Sequence, residues 1–371
     1  MLWDNFKGYA AAMHTMNSQL ELLYVYAFMS QTRLDPQYPD HWVVRSATEP
    51  AFFMSTLDPA KDSHFAVDLG NRGMWEPDFT HLFNHAVTSV DIGDFDPSEL
   101  AVMDVGGNLG WFSMVSASLG FRVVAFEPVP DHCQRFRQSI ALNNFATQPT
   151  PTSGYVELNE NIVSTRLSDT LKIRRFMFGP SPTAYVVDGN EKGDESNADG
   201  KSDDVVVKAV RADGAGIGGA KAVAAVKIDV EGCEIDALNS ASGLLTPRGG
   251  ATRPPEVFLE LCPYLWQRCK TKNADELQAW KLLKKHGYTL YLHHHDNGYE
   301  KCPTLPKSFE RTRSVLKDGH KMTMFHVPLT QDGGKALVDW SEKHKRQGGS
   351  SACFQIWATQ QKPWDPVDPL D

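Results

Sequence analysis

The stretch Ala101-Val102-Met103-Asp104-Val105-Gly106-Gly107-Asn108-Leu109-Gly110-Trp111-Phe112-Ser113 decides how this chain folds. The short apolar run from Ala101 to Asp104 reads as a buried strand, and the apolar residues from Trp111 read as the start of a helix. The glycines between them let a ligand approach the backbone, at the strand edge where parallel α/β sheets bind nucleotides. The spacing matters here. A nicotinamide fingerprint starting at Gly106 needs glycine at 108 and 111, where this chain has Asn108 and Trp111. What stands instead is D-x-G-x-N-x-G.

Working outward, short apolar runs alternate with helical segments from about Glu99, the pattern of βαβ units around a mainly parallel sheet. Strands are expected at Ala101–Asp104, Arg122–Glu127, Ile162–Leu167, Ala224–Asp229, Glu256–Leu261, Tyr288–His293 and Met322–Val327. The fold class is therefore α/β, with a Rossmann-like, seven-stranded, mainly parallel sheet flanked by helices. The second strand ends in Glu127, about twenty residues after the glycine turn, where a carboxylate can accept hydrogen bonds from both ribose hydroxyls of an adenosine. The fourth ends in Asp229-Val230-Glu231-Gly232-Cys233-Glu234, crowding acids beside the cleft, where they can act as base or orienting groups. For Glu234 the helix N-terminal role is preferred, complementing the dipole. Before the sixth strand a helix is signalled by Asn273 as cap, Glu276 in the capping box, Lys281, Lys284 and Lys285 near its end, and Gly287 as terminator. The run His293-His294-His295-Asp296 offers two same-face imidazoles, too few for a zinc site, so a polar strand end is the preferred reading.

Outside this core, Trp3, Phe6, Ala10, Met13, Met16, Leu20, Leu23 and Ala27 recur at helical spacing. Residues 1–90 are read as an N-terminal helical extension or cap, 91–330 as the catalytic domain, and 331–371 as a peripheral C-terminal helix with a proline-containing tail. Within the domain, residues 170–223 form an insertion. Its flanks Lys172–Phe178 and Val205–Val210 are expected to make a β-hairpin, with a mobile acidic loop over 189–204 and a flexible linker at Gly214–Gly219.

Charge and composition narrow the function. Acids outnumber bases 46 to 37, a net of −9, which disfavours nucleic acid as the partner. The six cysteines form no C-x-x-C pair and are read as structural thiols. No stretch reaches the roughly 18 apolar residues of a membrane span, and no leader pattern opens the chain. The expected compartment is the cytoplasm, or the secretory lumen if a signal or anchor has been removed.

Together these residues resemble the FkbM-type S-adenosylmethionine-dependent methyltransferases. The resemblance runs from Gly73-Met74-Trp75-Glu76-Pro77 through the glycine turn, Phe126-Glu127-Pro128, Asn143-Asn144, Leu167-Ser168-Asp169 and Lys227–Glu234 to Glu256–Glu260. It implies a class I methyltransferase fold with strand order 3-2-1-4-5-7-6. It also implies transfer of a methyl group from S-adenosylmethionine to a hydroxyl of a sugar, glycan or small natural product. Carried over, Asp104, Gly106, Asn108 and Gly110, with Gly107 in the same turn, surround the methionine part of the cofactor, and Glu127 holds the ribose. Asn144, Ser168 and Asp169 border the adenine. Asp229 and Glu231 lie near the transferred methyl, and Glu76 and Glu260 complete the wall. Asp229 or Glu231 is the first choice of general base, Glu260 the second; no metal ligand is assigned, although these acids could orient a hydroxyl through a divalent cation. Competing readings are a nicotinamide-dependent oxidoreductase and a catalytically silent S-adenosylmethionine-binding module. The first is opposed by the glycine spacing, the second by the filled motif positions.

Overall fold

Leu100–Val105 (β1) is buried at all six positions, so both faces of this strand need cover. The computed structural model describes residues 42–57, 62, 65–146, 154–167, 171–176, 184–187, 202–246, 253–269, 280–293, 310–316, 319–327, 331–346 and 353–361. Along the chain β1 is followed by Arg122–Phe126 (β2), Tyr155–Asn159 (β3), Ala222–Ile228 (β4), Glu256–Leu261 (β5), Thr289–His293 (β6), Glu310–Val315 (β7), Lys321–Val327 (β8) and Phe354–Thr359 (β9). These nine make one sheet of order β7-β8-β6-β9-β5-β4-β1-β2-β3. From β3 to β5 every pair is parallel; β9 runs antiparallel to both β5 and β6, and β8 and β7 extend the edge as an antiparallel pair.

Alternation along the strands separates two apolar layers. Val102, Val123, Ala125 and Phe258 face one layer with helices Phe65–Arg72, Pro77–Thr88, Trp111–Ser118 and Pro130–Leu142. Met103, Val124, Phe126, Val257 and Leu259 face the other, with helices Glu234–Ser240 and Gln331–Arg346. Phe52 and Met54, at the two-stranded ribbon Trp42–Arg45/Phe53–Thr56, belong to the first layer, so the described residues from Phe52 to Val87 contribute to the core of the sheet. The periodic helix read over residues 3–27 lies outside the described residues.

Several strand readings need correction. The third strand is Tyr155–Asn159, not Ile162–Leu167; it is half-exposed at the sheet edge and lacks the continuous apolar run that marks a doubly covered strand. Ile162–Val163 pairs instead with Ala209–Val210, outside the main sheet. Met322–Val327 lies beyond β6, and the place between β5 and β6 is taken by β9. The C-terminal region is thus not wholly peripheral, because β9 carries buried Gln355, Ile356, Trp357, Ala358 and Thr359 through the centre of the sheet. Opposite it, Glu256 is buried and accepts hydrogen bonds from Trp357 Nε1 (2.5 Å) and Thr359 Oγ1 (3.0 Å); burial pushes its carboxyl up to about 8.

Within residues 170–223, Leu171–Phe176 pairs antiparallel with both Ser202–Val207 and Ala184–Val187, whereas Ala209–Val210 pairs with Ile162–Val163. Most of the acidic loop, 189–201, lies outside the described residues. The glycine-rich linker is structured at its start by a 3₁₀ turn, Ala212–Gly214, and held by Arg122 Nη1, which donates to the Gly218 carbonyl at 2.8 Å. Four cysteines are paired rather than free. Cys233–Cys269 and Cys262–Cys353 are disulfides, and Cys133 is a buried thiol.

Candidate active site

The C-terminal edge of the parallel strands opens into a cleft of about 220 Å³. Its floor is the turn after β1. Gly106 has φ +83°, and a Cβ there would lie 1.7 Å from the Asp229 carbonyl oxygen, so only glycine lets the turn pass against the end of β4. Asn108 follows at φ +51°; its side-chain oxygen is buried and has no hydrogen-bond partner among the described residues. Glu127, at the end of β2, is held by two backbone amides: Asn108 N–H donates to Oε2 at 2.8 Å and Val129 N–H to Oε1 at 2.9 Å. His132 Nδ1 stands 3.5 Å from the same Oε1. The carboxylate is therefore fixed before any ligand arrives, with lone pairs left for a diol.

Asp229, Glu231 and Glu260 line the same cleft, as does Glu76 from the segment before helix Pro77–Thr88. Lys227 lies beneath them. Its Nζ is 2.9 Å from Asp229 Oδ2 and 4.8 Å from the centre of the Phe112 ring. Burial alone would discharge this lysine, but Asp229 and Asp104 outweigh that and hold its pKa above the ordinary lysine value, so it stays cationic. Burial, reinforced by Asp229 and then Glu76, pushes the Glu260 carboxyl well above the usual range. Strain converges here too. Of the four non-glycine residues with positive φ among those described, Glu76, Asn108 and Glu231 all line the cleft.

Other expected site residues fall elsewhere. Asp104 is buried below the turn; its Oδ2 accepts from Ser113 Oγ at 2.6 Å, and burial raises its carboxyl while Lys227 opposes the rise. Gly107 and Gly110 pack on the Phe136 ring rather than on the cleft. Asn144 sits in a left-handed turn after helix Pro130–Leu142 and does not line the cleft. These four stand behind the cleft, at the turn and the helix ends, and do not line it. Ser168 and Asp169 lie outside the described residues. Asn161, Ile162, Val163 and Ile173 also line the cleft. Glu234 accepts from Gly232 N–H at 2.6 Å and Trp266 Nε1 at 2.9 Å, a structural acid at the helix start as read. His293 is buried against Gln355, while 294–296 are outside the described residues. Among the described residues, potential metal-ligand atoms gather within 4.8 Å only at Glu231, Cys262 and Cys353, whose two sulfurs are bonded to each other.

Parallel strands in the order 3-2-1-4-5, an antiparallel strand entering before the sixth, and a glycine turn facing a pre-held acid define a class I methyltransferase. The chain belongs to the FkbM methyltransferase family: the model of the methyltransferase FkbM domain matches residues 104–290. S-adenosylmethionine is its cofactor. The cleft fits it, since Gly106, Asn108 and the amide-held Glu127 carboxylate line it together, and the buried Asn108 side-chain oxygen has no partner among the described residues. Similar solved structures include the S-adenosylmethionine-dependent methyltransferase from Agrobacterium tumefaciens (9% identity, 87% of this chain and 71% of that one, TM-score 0.37). A precorrin-6y C5,15-methyltransferase from Geobacter metallireducens (12%, 76% and 87%, TM-score 0.31) and the plantazolicin methyltransferase BpumL with S-adenosylhomocysteine (8%, 80% and 89%, TM-score 0.30) are also similar. A search of curated proteins found no match.

Proposed function

We propose that this methyltransferase modifies a hydroxyl group of a sugar, glycan or small natural product. The observation that carries the reading is the meeting of Asp229 and Glu231 with the glycine turn in one cleft, the Asp229 backbone packed directly on Gly106. Bound S-adenosylmethionine supplies a methyl group already activated on a sulfonium, so the protein's work is alignment and proton removal. Glu127 accepts from the ribose hydroxyls, Gly106 and Asn108 meet the methionyl part, and Asn161, Ile162 and Val163 border the adenine. Asp229 takes the acceptor's proton; the hydroxyl is a weak nucleophile until that proton has a destination. Lys227 holds Asp229 in place. Glu260, whose carboxyl is raised by burial, serves as a donor rather than a base, and Glu231 orients the acceptor. Ile173 puts the insertion at the cleft wall, where specificity would be set. The two disulfides favour an oxidising compartment such as the secretory lumen over the cytoplasm.

The test is calorimetric titration with S-adenosylhomocysteine, followed by methyl transfer to a panel of glycosides and hydroxylated small molecules. Micromolar binding that Glu127→Ala loses, with turnover that Asp229→Asn loses on a glycoside, supports the reading. Turnover confined to amine or carboxylate acceptors would overturn it.

A further inference from the structure

The residues that place Glu76 in the cleft come from the far end of the chain. Gln355, on β9, is 6% exposed, and its Nε2 donates to Glu76 Oε2 at 2.8 Å. The other end of the same amide, Oε1, is 3.0 Å from Nδ1 of buried His293. Cross-strand register explains the meeting: Gln355 is paired with Glu260 on β5 and with His293 on β6. Directly paired residues of neighbouring strands project from the same face, so Glu260, Gln355 and His293 form a row across the sheet. Glu76, at the start of helix Pro77–Thr88, meets that row from above.

The chemistry leaves one self-consistent arrangement. A carboxylate only accepts, so Gln355 must present its NH₂ to Glu76; its oxygen then faces the imidazole and requires a proton on His293 Nδ1. Turning the amide over would set two acceptors against each other at Glu76. His293 is further seated against the Phe79 ring, 6.1 Å between centroids. Glu76 itself has φ +42°, a conformation that non-glycine residues rarely adopt. A strained backbone with a single aimed carboxylate is a group that needs holding.

We propose that Gln355 is a positioning residue for the methyl-transfer site: with its amide set by His293, it holds the Glu76 carboxylate toward the cationic methionyl end of the cofactor. Glu76, His293 and Gln355 all lie outside the matched 104–290 segment, so flanking parts of the chain complete a site that the family's core begins. The inference rests on the reading of Glu76 as a cofactor-binding residue.

A double-mutant cycle tests it. S-adenosylhomocysteine, which keeps the methionyl ammonium, is titrated calorimetrically into the wild type, Glu76→Gln, Gln355→Met and the double variant, each checked by thermal unfolding. Gln355→Met is expected to weaken binding roughly ten-fold in the wild-type background and less than about two-fold once Glu76 is glutamine. Equal factors in both backgrounds would overturn the positioning role. Wild-type affinity in Glu76→Gln would overturn the underlying reading of Glu76 instead. Gln355→Glu gives a second readout if the methionine variant is unstable. Its affinity relative to wild type should fall at pH 8, where two carboxylates face each other, and recover toward pH 5 as the new group takes a proton; a pH-independent ratio would count against the proposal.

Discussion

Replacing Lys227 by methionine keeps the length and apolar stem of the side chain, and so its contact with Phe112, while deleting the charge. In the folded protein that charge sits 2.9 Å from Asp229 with almost no access to water. At an effective dielectric of about 20, the attraction at this separation is roughly 6 kcal/mol before desolvation is subtracted. Breaking a buried ion pair by removing one partner costs about 3–5 kcal/mol, because the other charge is left uncompensated. Asp229 retains some exposure, so we place the loss near the lower end, about 3 kcal/mol at pH 7.5. It should also depend on pH. Burial raises the Asp104 carboxyl and Lys227 opposes that rise, so without Lys227 this acid takes a proton more readily and the loss should be smaller at pH 5 than at pH 7.5. The assay is urea unfolding followed by tryptophan fluorescence at pH 5 and pH 7.5. A variant with a wild-type midpoint at pH 7.5, or with the same deficit at both pH values, would refute the idea that this lysine neutralises the acids at the site.

Gly106→Ala should fold poorly or lose S-adenosylhomocysteine binding by at least about ten-fold, since its Cβ would lie 1.7 Å from the Asp229 carbonyl oxygen; calorimetric binding at wild-type strength would contradict the packing described. Glu256, with a folded pKa of about 8 against an ordinary 4.5, contributes stability that is fully present below about pH 4.5 and lost as pH rises toward 8, because the unfolded chain ionises first. Glu256→Gln should therefore flatten the fall in unfolding midpoint between pH 5 and pH 8.5, and an unchanged slope would show that another group is responsible. The disulfides close separations of 36 and 91 residues, for which chain entropy suggests about 4 kcal/mol each. Both grip the segment 262–269 beside the cleft, so full reduction should lower the melting temperature and weaken cofactor binding together; a reduced protein that melts and binds unchanged would remove them from the account.

Much of this was readable along the chain because it is local. Buried parallel strands such as Leu100–Val105 and Ala222–Ile228 are nearly continuous apolar runs, and the glycine turn and Glu127 follow their strands at fixed offsets. Glu127, Gly106, Asn108, Asp229, Glu231 and Glu260 could be named because each lies at or next to a strand end, and strand ends of a parallel sheet share one edge. The edge strand Tyr155–Asn159 was harder to see, since a half-exposed strand needs no apolar run and the stronger apolar signal at Ile162–Val163 belongs to a small separate pairing.

Position along the chain carries no information about which strand becomes a neighbour. Phe354–Thr359 and Lys321–Val327 are both credible strands, yet only the packed sheet puts the former between β5 and β6 and the latter outside. Lys227 has the pattern of an ordinary strand residue; its importance comes from Asp104 and Asp229 being folded around it. Gln355 offered no local signal at all, because its role exists only where β9 brings it between His293 and Glu76. The sequence by itself determined the fold class and the acids at the strand ends, through periodicity and short-range spacing, and the cofactor through the family its motifs resemble. The tertiary structure alone decided which long-range partners hold those acids, because hydrogen bonds and burial depend on distance in space, and residues 76, 293 and 355 become neighbours only when the sheet closes.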